Sequence, residues 1–261
     1  VSHRALRLQG AETNQRSATP ALRSCFGVFA VALACLGTWR TAGLDGEALA
    51  EPASPDSCER FDHEHAAFTS VLRRYVRDGM VDYAGLAHSG TAELRAYLTS
   101  LESVCPSHFD SWTREQKLAF WIDAYNAYTV KLVLDHHPLA SIRSIGLLPG
   151  AAFREDFIPL SKLRGRALSL DDIEHEILRR EFREPRIHFA IVCAARSCPA
   201  LRSEAYRARD LDRKLDDVAR AFVRDGTKNR FEVASRTLYL SSIFKWFRED
   251  FETAKKTLPD F

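Results

Sequence analysis

Several familiar signatures are missing from this chain of 261 residues. It has no phosphate-binding loop, no dinucleotide fingerprint and no serine elbow, which removes the usual sequence evidence for nucleotide binding and serine hydrolysis. Residues 51–261 carry 32 basic and 32 acidic side chains, without a basic stripe interleaved with aromatics. This balance argues against nucleic-acid binding. No histidine or cysteine cluster has metal-site spacing, so we predict neither a metal nor another cofactor.

A hydrophobic run long enough to cross a membrane is also missing. The apolar run over residues 26–37 has about the length of a secretory signal, and Ala48-Leu49-Ala50 offers small residues for cleavage. We therefore predict a signal segment with its flanks over residues 1–50 and a linker over 51–58. The mature protein would be exported, to the periplasm or outside the cell. If the segment is retained, it would anchor the protein to the membrane, and we expect no other membrane contact.

The cysteines outside the signal segment are even in number. An even count in an oxidising compartment favours disulfides, and four thiols allow three pairings. The simplest prediction pairs Cys58 with Cys105 and Cys193 with Cys198.

Apolar periodicity predicts one α+β domain over residues 59–261, mainly helical with a small mixed or antiparallel sheet. Helices are predicted over 59–77, 91–104, 113–134, 169–182, 208–224 and 242–251, and Ser169 is expected to cap the fourth of them. Strands are predicted over 157–160, 166–170, 186–193, 231–233 and 237–240. The third helix opens on a capping box, Thr113-Arg-Glu-Gln116, and is apolar almost all round. Asp123 and Asn126 are therefore conspicuous within it, either as a hydrogen-bonded clamp or as residues that line a cleft and contact substrate.

The turn after the predicted strand 186–193 brings two cysteines together. Pro199 favours a helix starting there, which would place Cys198 at its N-cap, where the helix dipole and Arg196 would stabilise a thiolate. His188 or His175 would then serve as general base. The alternative is a structural disulfide between Cys193 and Cys198.

Both histidines also have ordinary interpretations. His188 could be a half-buried ring satisfied by a neighbouring carbonyl. His175 follows Asp171 and Asp172 on one helix face, where an acid could orient the ring, although acids at a helix start also favour the positive end of the dipole.

Five motifs together resemble a known family. They are Val81-Asp-Tyr83, the run from Leu118 to Val130, the run from Leu168 to Leu178, the run from Pro185 to Cys193, and Ser197-Cys-Pro199. In this order they are similar to the domain of unknown function 547 family over about residues 65–251, and Asp123 stands where we expect that family to have asparagine. Ser242-Ile-Phe-Lys-Trp-Phe247 resembles the family's usual end.

The resemblance implies no assigned activity. It implies relatives among exported bacterial proteins, and eukaryotic ones in which the domain adjoins glutaredoxin-like or coiled-coil regions. We expect a cleft bordered by Cys198, His188, His175, Asn126 and Asp123, with Arg196 also contacting a small-molecule or peptide ligand. The leading hypothesis is a thiol-dependent hydrolase or transferase. The alternatives are a disulfide-stabilised binding or structural module and a thiol–disulfide redox protein.

Overall fold

The computed structural model describes residue 58 and residues 60–139, 142–146, 148, 150–195 and 198–252. The predicted signal segment lies outside the described residues, as does the predicted linker except for Cys58. Within the described part, the protein is mainly helical with two small antiparallel sheets, consistent with the α+β prediction.

Ten α-helices were found in the described part of the chain. They are α1 (Ala66–Tyr75), α2 (Tyr83–Ser89), α3 (Thr91–Glu102), α4 (Pro106–Ser111), α5 (Arg114–Asp135), α6 (Ala151–Arg154), α7 (Ser161–Arg164), α8 (Leu211–Arg224), α9 (Ile243–Trp246) and α10 (Arg248–Phe251). Short 3₁₀ helices cover Ile142–Ser144, Pro185–Phe189 and Ala208–Asp210, and a π-helix covers Asp172–Phe182.

Helix α5 forms the centre of the core, as its sequence predicts. The capping box is present, because Thr113 Oγ1 accepts from the Gln116 N–H and the Gln116 side chain accepts from the Thr113 N–H. Every residue from 118 to 130 is buried. Because this helix is enclosed on all sides, polar side chains on it must form hydrogen bonds with the main chain or with other buried groups. Asp123 and Asn126 are two such side chains.

The strands form two separate hairpins. Strands β1 (Val76–Arg77) and β2 (Met80–Val81) pair at one place, and β3 (Arg230–Glu232) pairs with β4 (Thr237–Tyr239) at another. The second hairpin confirms the prediction for residues 231–240 within one residue. The predicted pairing of 157–160 with 166–170 is reduced to one antiparallel bridge, between Ile158 and Leu168.

The predicted strand over residues 186–193 is wrong. Pro185 instead opens a 3₁₀ helix, which the Glu184 carboxylate caps by accepting from the Arg186 N–H at 3.0 Å. Asn126, rather than a neighbouring strand, bonds the main chain that follows this helix. A short buried apolar run fits a strand or a helix equally well, and the tertiary partner decided between them.

The predicted helix over 169–182 is present, but as the π-helix Asp172–Phe182. Its predicted cap is confirmed: Ser169 Oγ accepts from the Asp172 N–H, and the Asp172 carboxylate accepts from the Ser169 N–H at 2.8 Å. π-Helical turns are rare and occur often at functional sites.

A second buried cluster lies beside the main core. It consists of Phe189, Ala219, Phe222, Ile243, Phe244 and Phe251. These side chains pack α8, α9 and α10 against the 3₁₀ helix that contains His188. The cluster thereby fixes Asp250, in α10, next to that histidine.

Candidate functional site

One cavity of about 230 Å³ brings together the cysteine pair and both predicted catalytic histidines. Its polar side chains are Asp171, Glu174, His175 and His188. Its apolar and aromatic side chains are Tyr125, Phe153, Ile191, Ile243, Trp246 and Phe247. Cys193, Cys198 and Pro199 complete the lining. A small cavity with few polar groups and mainly apolar walls is typical of a ligand site.

His188 is fixed by one hydrogen bond and by one stacked aromatic ring. Its Nε2 lies 2.6 Å from Asp250 Oδ2, and the Phe247 ring stacks on the imidazole with the centroids 3.9 Å apart. Its Nδ1 lies 3.9 Å from Glu174 Oε1, which is too far for a hydrogen bond. The ring is therefore bonded on one edge, and its other edge faces the Glu174 carboxyl.

Asp250 is held by a cation as well as by the histidine. Arg179 donates from Nε to Asp250 Oδ2 at 2.6 Å and from a terminal nitrogen to Oδ1 at 3.1 Å. Burial raises the pKa of Asp250, but the hydrogen bonds from His188 and Arg179 outweigh it and lower that pKa to about 2. Asp250 is consequently ionised at neutral pH.

The ionised carboxylate determines the tautomer of His188. Burial lowers the pKa of His188 despite the opposing effect of Asp250, so we assign a neutral ring at neutral pH. Because an ionised carboxylate only accepts hydrogen bonds, Nε2 carries the proton and donates to Asp250. The lone pair is then on Nδ1, where a general base needs it.

Glu174 is the second acid–base group of the cavity. It lies on the π-helix, and its Oε2 accepts a 3.3 Å hydrogen bond from the Tyr125 hydroxyl. Burial raises the pKa of Glu174 to about 7, and the nearby Asp171 contributes in the same direction. A carboxyl group that titrates near neutral pH can both donate and accept a proton under physiological conditions.

His175 lines the cavity, but neither of the two acids predicted to orient it, the described residues Asp171 and Asp172, forms a hydrogen bond with its ring. Asp172 instead bonds Ser169 and Arg166, with Arg166 donating at 2.6 and 2.9 Å. The His175 Nδ1 lies 3.1 Å from a terminal nitrogen of Arg179. Of the two cavity histidines, His188 is therefore the one with a carboxylate partner.

Cys193 and Cys198 are joined as a disulfide, as predicted, and both are partly exposed at the cavity. Cys58 and Cys105 form the other predicted pair, which connects the start of the described chain to the start of α4. The structure thus pairs all four cysteines in the way the sequence favoured.

The helix predicted to start after Cys198 is absent. Contrary to the prediction, the Cys198 sulfur therefore has no helix N-terminus beside it. Residues 199–202 have no helical turn. The Leu201 N–H donates to Gly79 O at 3.2 Å, so it is not free to stabilise an oxyanion. The segment lies so close to the β1–β2 turn that a Cβ on Gly79 would be 2.4 Å from Ala200 Cβ. Packing against that turn replaces the helix.

Asn126 does not line the cavity but positions part of its wall. Its Nδ2 donates to Ala190 O at 3.0 Å, and its Oδ1 accepts from the Val192 N–H at 3.0 Å. Both bonds are buried. They fix residues 190–192, which lead directly into Cys193, so the structure shows the clamp arrangement.

Asp123 lies in a different buried cluster, away from this cavity. Its carboxylate accepts from the Tyr206 N–H at 3.0 Å, and its Oδ2 lies 3.2 Å from His65 Nδ1. The same nitrogen lies 2.7 Å from the Tyr97 hydroxyl. Burial raises the pKa of Asp123 against the opposing effect of the Tyr206 hydrogen bond.

Arg196, predicted to contact substrate, lies outside the described residues.

The described ranges contain no group of three or more histidine, cysteine, aspartate or glutamate side chains arranged to hold a metal ion. They also contain no helix with the length and apolar character needed to span a bilayer.

Sequence reasoning did not identify Glu174, Tyr125 or Asp250 as site residues. Glu174 directly precedes His175, but in the sequence it is indistinguishable from the other acidic residues that are common in the first turn of a helix. Asp250 is 62 residues from His188, and nothing in the local pattern connects them. The one available signal is a pair of acids, Glu249 and Asp250, among the aromatic and basic residues of 244–251, and it is weak.

Fold and site define a mainly helical α+β protein with a partly exposed cysteine pair in an acid–base cavity. The sequence model described as "Protein of unknown function, DUF547" matches residues 109–223, which supports the resemblance of the chain to this family. The matched segment contains α5, the π-helix and both cavity cysteines. No curated protein and no solved structure matches the chain.

Proposed function

We propose that Cys193 and Cys198 form a thiol–disulfide exchange centre. The observation that carries this proposal is that the disulfide shares one small cavity with His188 and Glu174. Both sulfurs are partly exposed, so a small-molecule or peptide thiol can approach them. Exchange also fits the exported, oxidising location that the sequence predicts, which remains part of the proposal.

The chemistry begins from the bonded state. A thiolate of the co-reactant attacks one sulfur; the Cys193–Cys198 bond breaks as a mixed disulfide forms, and the released cysteine thiolate takes a proton. A second co-reactant thiol attacks the mixed disulfide and leaves as part of a co-reactant disulfide. Both cysteines end as thiols. The reverse sequence oxidises two substrate thiols.

We assign proton transfer to the polar groups that line the cavity. Protonated Glu174 donates to the departing thiolate, and neutral His188 accepts the proton of an incoming thiol through Nδ1. Leaving thiolates depart faster when they are protonated or otherwise stabilised. The aromatic walls limit access to thiols small or extended enough to enter the cavity.

The two disulfides provide an internal control for the test. With limiting glutathione, we expect Cys193–Cys198 to be reduced about tenfold or more faster than Cys58–Cys105. Alkylation followed by tryptic peptide mapping reports both, since cleavage after Arg196 separates Cys193 from Cys198. Glu174→Gln should slow only the first reduction. Equal rates for the two pairs would contradict exchange and favour a purely structural disulfide.

A cysteine-dependent hydrolase or transferase is the second candidate. The Asp250–His188 pair favours it, because an acid-oriented imidazole beside a thiol is the arrangement of nucleophilic catalysis. This function requires the disulfide to be reduced first. The Cys198 thiol would then attack an acyl or amide carbonyl while His188 takes its proton. His188 would return that proton to the departing alcohol or amine as the carbonyl bond to it breaks and a thioester forms, and water or an acceptor would cleave the thioester and restore the thiol.

Alkylation of the fully reduced protein tests the second candidate. If His188 activates Cys198, iodoacetamide should modify that thiol about tenfold faster near neutral pH than it modifies Cys105, and His188→Gln should abolish the difference. Asp250→Asn should give an intermediate rate, because it weakens the orientation of the ring. A Cys198 rate that is unchanged by His188→Gln would exclude this mechanism without affecting the exchange proposal.

A further inference from the structure

The β3–β4 hairpin exposes apolar side chains that the cavity does not explain. Seven of the nine large apolar side chains exposed in the described part of the chain lie between Val223 and Trp246. They are Val223, Phe231, Val233, Leu238, Tyr239, Leu240 and Trp246. Concentrated apolar exposure of this kind marks an interaction surface, whereas isolated apolar residues do not.

The hairpin carries four of these residues, which we call its apolar face. Phe231 is directly opposite Leu238 in the ladder, Leu240 follows β4 at the two-residue period of strands, and Val233 lies in the turn directly after β3. These four side chains are between 39% and 77% exposed. A two-stranded hairpin is marginally stable in water unless something covers its apolar face.

The base of the hairpin is firmly attached to the body of the protein. Asn229, which is buried, donates from Nδ2 to Phe222 O at 2.7 Å and accepts from the Ser241 N–H at 3.0 Å. Every residue of β3 and β4 is nevertheless exposed. The hairpin therefore projects from the body with both faces accessible.

Charge indicates what the apolar face would meet. Residues 223–246 contain five basic and two acidic side chains, a net charge of +3, whereas the whole chain has +2. The rest of the chain is thus slightly negative. Two copies docked through this region would bring like charges together, which is unfavourable. An anionic surface would be attracted.

The chemistry of the exposed side chains fits a lipid surface. Trp246 and Tyr239 are of the types enriched at membrane interfaces, where an apolar ring meets water through a polar group. The Arg230 guanidinium lies 4.1 Å from the Tyr239 ring centroid on the opposite face of the hairpin. Long basic side chains in such positions reach headgroups while the apolar face enters the acyl boundary.

We propose that the β3–β4 hairpin, with Trp246 and the basic residues around it, docks the protein on anionic lipid bilayers. The apolar face of Phe231, Val233, Leu238 and Leu240 enters the interface, and the basic side chains bind the headgroups. This contact is separate from any contact made by the N-terminal apolar run, so it revises the expectation that this run is the sole membrane contact. It does not depend on the cysteine chemistry.

Vesicle co-sedimentation of the full chain tests this. The probes are phosphatidylcholine vesicles with and without about one third phosphatidylglycerol. Val233→Ser with Leu238→Ser should lower partitioning onto anionic vesicles about tenfold. The matched control is Met80→Ser with Leu148→Ser, two residues that are similarly exposed at 58% and 67% but lie outside the region. This control should bind like the parent protein.

Two further measurements complete the test: the dependence of vesicle binding on basic side chains, and the self-association of the protein. Arg230→Gln with Arg236→Gln should reduce binding to anionic vesicles and leave binding to neutral ones unchanged, and high salt should have the same effect. Equal binding by the parent and the Val233→Ser/Leu238→Ser variant would overturn the proposal. So would a parent dimer in sedimentation velocity that this variant converts to monomer, since the face would then be a self-interface.

Discussion

Replacing Asn126 by alanine should lower the free energy of unfolding by about 3 kcal/mol. The substitution leaves Ala190 O and the Val192 N–H buried without their partner, and each orphaned group costs about 1–3 kcal/mol. It also releases the segment before Cys193. Urea unfolding monitored by circular dichroism measures the change, and the reduction rate of Cys193–Cys198 should change with it.

Thr129, three residues further along α5, provides the control. Its buried hydroxyl has no hydrogen-bond partner among the described residues. Thr129→Val removes that unpaired group at nearly constant volume, so stability should stay the same or rise by about 1 kcal/mol. If Asn126→Ala and Thr129→Val gave equal changes, the clamp would contribute nothing beyond general packing in this helix.

Glu174→Gln should stabilise the protein by about 3 kcal/mol at pH 8 and have little effect at pH 4. The folded-state pKa of Glu174 is raised by burial from the usual 4.5 to about 7. Between these values the folded state binds more protons than the unfolded state, so stability falls as the pH rises through this window. Above pH 7 the full cost of a buried carboxylate is present, and glutamine does not incur it.

Thermal or urea unfolding across pH 4 to 8 checks this dependence. Glu176→Gln is the matched control, because Glu176 lies two residues further along the same π-helix with its side chain 54% exposed beside Arg180. That substitution should change stability by less than about 0.5 kcal/mol at every pH. If the gain from Glu174→Gln were the same at pH 4 and pH 8, Glu174 would not be the neutral-pH acid of the cavity.

A stability gain combined with slower exchange would also bear on function. Proteins keep destabilising groups mainly where activity needs them. Loss of exchange with a gain in stability would therefore support Glu174 as an acid–base group of the reaction. A gain in stability with unchanged exchange would assign the proton transfer to His188.

The signals that sequence reasoning read correctly are local ones. The Thr113 capping box, the fully apolar α5, the β3–β4 turn and the cap at Ser169 each depend on residues within a few positions of one another. The cysteine pairs followed from their even count and the simplest connection. The errors occurred where the partner of a segment is distant in the chain. Within residues 186–193, Ala190 O and the Val192 N–H bond Asn126. The segment after Cys198 packs on Gly79.

The site residues divide in the same way between those that local sequence patterns indicated and those whose partners are distant in the chain. His188, His175, Cys193 and Cys198 were found because reactive residue types stand out near one another in the chain. Glu174 looked like an ordinary helix-start acid, and Asp250 lies far along the chain. Asp123 and Asn126 were noticed as polar residues in an apolar helix, but their partners could not be read from the sequence.

The sequence by itself determined the helices with strong local patterns, the central place of α5, and a turn that brings two cysteines together. Only the tertiary structure decided that His188 bonds Asp250, that Glu174 is buried beside them, and that residues 186–193 are not a strand. Helix periodicity and capping are short-range effects carried by neighbouring residues. Burial, pKa shifts and the pairing of distant side chains exist only after the chain has folded.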